Sequence, residues 1–253
     1  MKYAICQVSV SPLRAESSDR SEMVTQLLFG EKAEILESRK NWIRVKADFD
    51  GYEGWADPKQ FLELNEAEYH SIRNDQFASE SFNLAVENGM PLTVPMAAIL
   101  VNLAEGKIRF GPKEIEYLGE SRTGNSSKSD LADLAQMYLN TPYLWGGKSV
   151  FGIDCSGLVQ QVYKFAGANL PRDAYQQAEM GEALSFIEEA EPGDLAFFDN
   201  TEGKIIHVGI ILGGNKIIHA HGKVRIDPFD TNGIFNTDSQ TYSHKLRVIK
   251  KII

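Results

Sequence analysis

The chain has 253 residues, 43% of them apolar, which exceeds one typical domain and is enough for buried cores. A formal charge of −9 argues against nucleic acid or an anionic membrane as the main partner. The opening Met1-Lys2-Tyr3-Ala4-Ile5-Cys6-Gln7-Val8 has no signal-peptide core, and no later run approaches the ~20 apolar residues of a membrane span, so the expected location is the cytoplasm.

In chain order, residues 1–64 read as short strands joined by turns. Cys6, one of two cysteines, falls in an alternating strand pattern and is expected to be a buried, inert thiol. Two cysteines make neither a disulfide framework nor a Cys-x-x-Cys metal site. Segments 8–13, 25–31, 33–37, 42–46 and 51–56 recur at roughly ten-residue spacing, which predicts a small barrel. The succession Leu13-Arg14, Leu28-Phe29-Gly30-Glu31, Trp42-Ile43-Arg44-Val45 and Gly51-Tyr52-Glu53-Gly54-Trp55 resembles a bacterial SH3-like domain. Residues 65–75 are polar and read as a linker. Segments 82–86, 92–95, 98–101 and 115–118 predict a second, degenerate SH3-like barrel over 76–120, and 121–129 reads as a flexible boundary.

From Ser129 the period changes. Leu131, Leu134, Ala135 and Tyr138 recur at helical spacing, and Asn140-Thr141-Pro142 ends that helix. A second helix is predicted from Cys155 to Ala166, with Leu158, Val159, Val162 and Tyr163 as its apolar stripe and Gly167 as its stop. Strands follow at 194–198, 205–212, 216–221 and 247–249. Helices first and an antiparallel sheet afterwards predict an α+β domain over 126–253.

The chemistry gathers there. Asp154 reads as the N-cap of the second helix, which puts Cys155 in its first turn, where unpaired N–H groups and the helix dipole favour thiolate over thiol. The Asp154 carboxylate opposes this, so an imidazolium partner is required, and His207 can supply it. If Gly213-Gly214-Asn215 is a three-residue turn, Leu212 faces Lys216 and Gly209 faces His219. His207, His219 and His221 then share one face, with Gly209 leaving space between the rings. His207 can act as base while His219 fixes its tautomer. The same imidazoles could hold zinc through His219-x-His221 and His207, but that reading leaves a thiol at a helix start unexplained.

Five motifs stand in order: Tyr143-Leu144-Trp145-Gly146-Gly147, Asp154-Cys155-Ser156-Gly157-Leu158-Val159, Pro192-Gly193-Asp194-Leu195-Ala196-Phe197-Phe198, His207-Val208-Gly209-Ile210 and Ile218-His219-Ala220. Together they resemble the NlpC-type cell-wall cysteine peptidases. The resemblance implies an α+β fold: a papain-like C-terminal peptidase domain preceded by two small SH3-like β-barrels. It also implies a Cys155–His207–His219 triad, with the Tyr143 hydroxyl aimed at the oxyanion, no metal and no cofactor.

The whole pattern is similar to the γ-D-glutamyl-L-diamino-acid endopeptidases, which cut muropeptides after L-Ala-γ-D-Glu and require a free L-Ala amine. That likeness implies Asp173 for the ammonium, with Arg172 orienting the pocket or the carboxylate. Ser156 beside Asp154 becomes a carboxylate donor, and Trp145 a pocket wall. Tyr52 and Glu22 become the tyrosine and the acid with which the first SH3-like domain closes the cleft. Ala174 stands where such enzymes often have Ser, and Ile206 where some have a second His. A monomer acting on muropeptides is expected. The competing readings are a non-catalytic cell-wall peptide-binding protein and a thiol acyltransferase or amidase acting on another substrate.

Overall fold

The structure is a computed structural model and describes residues 2–253. It divides into two compact units: the chain up to Gly124 together with Trp145–Val150, and Asn125–Leu144 together with Phe151–Ile253.

The first unit begins with β1 (Lys2–Cys6), β2 (Val10–Arg14), β3 (Met23–Leu28), β4 (Lys32–Arg39), β5 (Trp42–Ala47), β6 (Glu53–Ala56) and β7 (Phe61–Leu64). They form one antiparallel sheet in the order β3-β2-β6-β5-β4-β1-β7. Along β5 burial alternates, with Ile43, Val45 and Ala47 turned in and Arg44 and Lys46 turned out. The inward side chains join Ala4, Cys6, Leu13, Leu27 and Phe61 in one core. The polar stretch expected as a linker instead folds into α1 (Glu66–Ser71). Asn65 and Glu68 cap its start reciprocally, and Tyr69 stacks on Tyr3 with ring centroids 4.2 Å apart.

Further strands are β8 (Gln76–Ala78), β9 (Phe82–Glu87), β10 (Met90–Pro95), β11 (Lys107–Phe110), β12 (Lys113–Tyr117) and β13 (Ser121–Thr123). Four of them pair in the order β10-β9-β12-β11, and β13 pairs with β8. Two expectations are corrected here. Residues 98–101 make only an isolated bridge, Ile99 to Phe77, because Ala97 and Asn102 take left-handed turns at either end. An apolar run without alternation is as much a buried loop as a strand, and this one is buried. The supposed flexible boundary opens with β13, an ordered edge. The short β14 (Lys148–Ser149) completes this unit, and a buried ion pair between Lys148 and Glu31, 3.3 Å long, anchors it.

The second unit contains α2 (Lys128–Gln136), β15 (Gly152–Ile153), α3 (Cys155–Lys164) and the four-residue α4 (Ala174–Gln177). Its strands are β16 (Glu182–Ala183), β17 (Leu195–Asp199), β18 (Ile205–Gly213), β19 (Lys216–His221), β20 (Lys223–Asp230), β21 (Gly233–Asn236) and β22 (Thr241–Lys251). The sheet order is β16-β22-β17-β18-β19-β20-β21. An extra β21–β22 pairing closes six of these strands into a ring. Only the middle of β22 was predicted; its eleven residues are long enough to pair with β21 at one end and β17 at the other. Strands β20 and β21 were not predicted.

Ala196, Phe198, Ile211, Ile217, Phe229, Ile234 and Ile249 fill the inside of the ring. On the other face β18 and β19 pack against α3. That helix is buried on all sides rather than along one stripe. Its polar side chains are paired accordingly, Gln160 donating to the Leu170 carbonyl at 3.0 Å and Lys164 to Gln161 at 3.2 Å. Helix α2 stops at Gln136, and three tighter i→i+3 bonds carry the chain to Leu139. The Pro192-Gly193-Asp194 motif braces that helix. Lys128 reaches Asp194 at 2.7 Å, and a Cβ on Gly193, whose φ is +95°, would lie 2.6 Å from the Lys128 carbonyl oxygen.

Candidate active site

Cys155 is the first residue of α3. Asp154 caps the helix by accepting from the Gly157 N–H at 2.7 Å. That carboxylate is gripped in turn by Arg172, whose two terminal nitrogens reach it at 2.9 and 2.6 Å and whose Nη1 also donates to Ser156 Oγ at 3.0 Å. The whole network is buried, and the Arg172 guanidinium is spent on holding the helix start.

The expected resting thiolate is corrected. Burial first, and then the Asp154 carboxylate, push the Cys155 thiol up to about 12, and backbone hydrogen bonds at Val208 and Ser156 with the Arg172 charge offset this only in part. The resting sulfur is a neutral thiol, lying against the backbone of the residue that follows His207. Tyr143 is bridged to Ile153, two residues before the cysteine, and burial first, with the Asp154 carboxylate, raises its phenol to about 12. Its O–H is therefore present as a donor throughout the neutral range.

The histidine side is ordered by hydrogen bonds whose polarity can be assigned link by link. His207 Nε2 lies 2.8 Å from His219 Nδ1, and His219 Nε2 lies 3.0 Å from Asp227 Oδ2. Asp227 is fully buried. Hydrogen bonds from His219 and Arg225 hold it well below the usual carboxylate range despite the opposing effect of burial, so it is ionised and can only accept. His219 Nε2 is then the donor, and its Nδ1, in a neutral ring, the acceptor. His207 Nε2 must donate to it, which leaves the lone pair on His207 Nδ1. Burial keeps both rings neutral: His207 is lowered well below the ordinary histidine range and His219 is lowered too. The chain Arg225–Asp227–His219–His207 thus delivers one free basic nitrogen.

The β18–β19 register agrees with expectation over Ile210↔Ile218 and Ile211↔Ile217, and extended by one pair it sets Gly209 opposite His219. The turn itself is shorter: Gly214 and Asn215, both at positive φ, make a two-residue loop, and a bulge between Ile211 and Gly213 takes up the extra residue. Gly209 does not leave room between the rings. A Cβ there would lie 2.7 Å from Ile217 Cδ1, so the glycine admits the isoleucine.

Two groups escaped the sequence reading. Asp227 lies on β20, a strand with no strong local signal, and His244 lies on the unpredicted start of β22. The His244 ring stacks on His207 with centroids 4.0 Å apart. Donor atoms of His207, His219 and His244 come within 4.8 Å of one another. Yet the 2.8 Å between His207 and His219 is a hydrogen bond, shorter than the ~3.3 Å between two nitrogens on one tetrahedral zinc. The arrangement fits a proton relay better than a metal.

Of the residues expected to meet substrate, Asp173 is the half-buried N-cap of α4 and is bonded there through its backbone N–H to Gln176 at 3.2 Å. Trp145, Glu22 and Tyr52 belong to the first unit, where the Trp145 indole donates to Glu22 Oε1 at 2.6 Å. Tyr52 is half-buried in the turn before β6, its N–H donating to Asp50 at 3.0 Å.

Comparison with known proteins agrees with this geometry. Residues 140–242 match the NlpC/P60 family, and residues 13–61 match the bacterial dipeptidyl-peptidase SH3 domain. Over 213 residues the chain is 30% identical to the gamma-D-glutamyl-L-lysine dipeptidyl-peptidase of Bacillus subtilis, covering 78% of this chain and 71% of that one. The chain belongs to the NlpC/P60 family. It is also 27% identical to dipeptidyl-peptidase 6 of Lysinibacillus sphaericus, over 86% of this chain and 87% of that protein. A crystal structure of an NlpC/P60 family protein from Bacillus cereus superimposes with a TM-score of 0.83 at 23% identity, covering 99% of both chains, and so shares the fold. The chain therefore carries an NlpC/P60 papain-like domain behind an N-terminal SH3 domain.

Proposed function

We propose that this protein is a cysteine peptidase that hydrolyses the bond between γ-D-glutamate and the following diamino acid in cell-wall peptides with a free N-terminal L-alanine. It releases L-Ala-γ-D-Glu and serves peptidoglycan recycling in the cytoplasm, acting as a monomer. The observation that carries this reading is the buried relay ending on His207 Nδ1, with the Cys155 thiol at the adjoining residue of the same strand. The names of the relatives from B. subtilis and L. sphaericus support the bond and the dipeptide product. Residues 76–120 are read as a second, degenerate SH3-like barrel, which the antiparallel order β10-β9-β12-β11 supports.

In the proposed cycle substrate arrives at a neutral thiol and a neutral imidazole. As Cys155 Sγ attacks the γ-carbonyl carbon, its proton passes to His207 Nδ1, and the imidazolium is stabilised through His219 and the Asp227 carboxylate. The oxyanion accepts from the Cys155 backbone N–H and the Tyr143 hydroxyl, donors typically worth ~3 kcal/mol each. His207 then protonates the departing amine, and water hydrolyses the thioester by the same relay. Asp173 meets the L-alanine ammonium, while Arg172 acts as a positioning residue through Asp154 and Ser156. For Trp145, Glu22 and Tyr52 a role toward substrate rests on the family resemblance.

The test is turnover of L-Ala-γ-D-Glu-meso-diaminopimelate and its lysine counterpart, followed by mass spectrometry. Cleavage after glutamate is expected with wild type and none with Cys155→Ala. N-acetylation of the alanine is expected to block it. Undiminished activity in Cys155→Ala removes the thiol from the mechanism, and equal turnover of blocked and free peptide removes Asp173 from amine recognition.

A further inference from the structure

A second feature of the ring lies next to the base and has no part in the relay. Two register shifts in β17, one against β22 between Phe197 and Phe198 and one against β18 between Phe198 and Asp199, turn the end of the strand. Asp199 ends in the wall of a cleft of about 970 Å³ that Asn200, Ile206, His244, Lys245 and Arg247 also line. Its side chain is only 5% exposed, yet Oδ1 has no hydrogen-bond partner among the described residues. Its nearest cation, Arg247 Nε, is 3.7 Å from Oδ2 and belongs to a side chain that is 63% exposed. A buried carboxylate oxygen without a partner costs free energy unless something else satisfies it.

The place of this cleft relative to the chemistry is set by His244, one of its walls, whose ring is stacked on His207. Ile206, another wall, immediately precedes the base. In acyl transfer to a nucleophile the imidazole gives its proton to the departing amine, so the amine half of the substrate must lie on the imidazole's side. The acyl half lies toward Cys155 and Tyr143. A cleft flanking His207 is therefore on the leaving-group side.

We propose that this cleft receives the diamino acid released by the reaction: Asp199 binds its side-chain ammonium, and Lys245 and Arg247 bind its carboxylates. This rests on the function proposed above and deepens it. The cleft presents one carboxylate and two cations. A C-terminal diaminopimelate, with one free ammonium and two carboxylates, is the closer charge complement; a lysine, with one of each, satisfies Asp199 but leaves a cation unmatched. A side chain of equal length without the ammonium leaves Asp199 Oδ1 buried without a hydrogen-bond partner, as it is among the described residues of the free protein.

The experiment compares three peptides, L-Ala-γ-D-Glu-X, in which X is meso-diaminopimelate, L-lysine or L-norleucine. Wild type is expected to cleave the lysine peptide at least about tenfold better than the norleucine peptide in kcat/KM, mainly through KM, as befits one charge-assisted hydrogen bond. The diaminopimelate peptide is expected to be better again. Asp199→Asn should bring the lysine-to-norleucine ratio close to one, and Arg247→Gln should remove the advantage of diaminopimelate over lysine. Because ratios are read within one preparation, partial unfolding of a variant does not affect them, and the wild-type ratio needs no variant at all. Equal kcat/KM for the lysine and norleucine peptides overturns the pocket and leaves the peptidase standing, as does a ratio unchanged by Asp199→Asn. Cleavage of none of the three overturns the peptidase reading itself, and the pocket with it.

Discussion

The surroundings of the two cysteines differ less in acidity than in what stands beside the sulfur. Cys6 lies in the SH3 core with no exposure, its thiol donating to the carbonyls of Val8 at 3.4 Å and Leu27 at 3.6 Å. Burial lifts it to about 12. Cys155 is lifted to about 12 as well, for the same leading cause. A low thiol pKa therefore does not mark the nucleophile in the resting protein. What marks it is a base whose free nitrogen is assigned by a buried chain of donors, and a phenol held protonated nearby. Cys6 has carbonyls for neighbours, which can take a proton's hydrogen bond but not the proton.

The largest break in that contrast is expected from Asp227→Asn. An asparagine can offer its amide N–H to His219, which invites the opposite tautomer along the relay and takes the lone pair away from His207 Nδ1. Loss of the corresponding carboxylate in a serine triad costs about 10⁴-fold in kcat with geometry kept, so a fall of about 10³-fold or more is expected here, with KM little changed. Circular dichroism separates this from unfolding, which Arg225 opposes by keeping hydrogen-bond partners in Asp238 and Thr237. A variant with near-normal kcat would show that His219 orients His207 without the carboxylate.

A smaller effect sharpens the comparison through pH. A raised thiol pKa means that the charged form is scarce until pH approaches about 12. Alkylation of Cys155 by iodoacetamide in the free protein should accordingly rise about tenfold per pH unit from 7 to 10, following the thiolate fraction. A plateau anywhere in that range would mean a preformed thiolate–imidazolium pair. Cys6, with no exposure, is expected to stay unlabelled in the native protein and to react once it is denatured.

The sequence made the sites of chemistry more legible than their supports. Cys155, His207 and His219 are visible because a helix start and a hairpin have local signatures, and the hairpin register placed Gly209 against His219 correctly despite the wrong turn. Asp227 and His244 were invisible for the opposite reason. They lie on β20 and β22, whose places are fixed by closure of the ring and not by any turn or periodic signal of their own. The sign of the Cys155 shift also needed tertiary structure. The helix start that favours thiolate is a local feature, whereas burial all round α3 is not. Likewise α1 looked like a linker because its apolar content is Ala67 and Tyr69, and what holds Tyr69, the Tyr3 ring, the Asp48 carboxylate and the Lys32 ammonium, comes from distant parts of the chain.

The least effect is expected at the other sulfur. Cys6→Ser keeps a donor within reach of the Val8 and Leu27 carbonyls but exchanges a weakly polar sulfur for a hydroxyl in an apolar core. The exchange should cost about 1–2 kcal/mol, within the usual range for a core substitution that leaves hydrogen bonds satisfied, and should lower the melting temperature by ~2–6 °C. Turnover should not change, because the Cys6 thiol is hydrogen-bonded to backbone carbonyls and not to the imidazole relay. If Cys6→Ser instead lowered kcat in proportion to Cys155→Ala, the two thiols would be acting together, and the distinction drawn from their neighbours would fail.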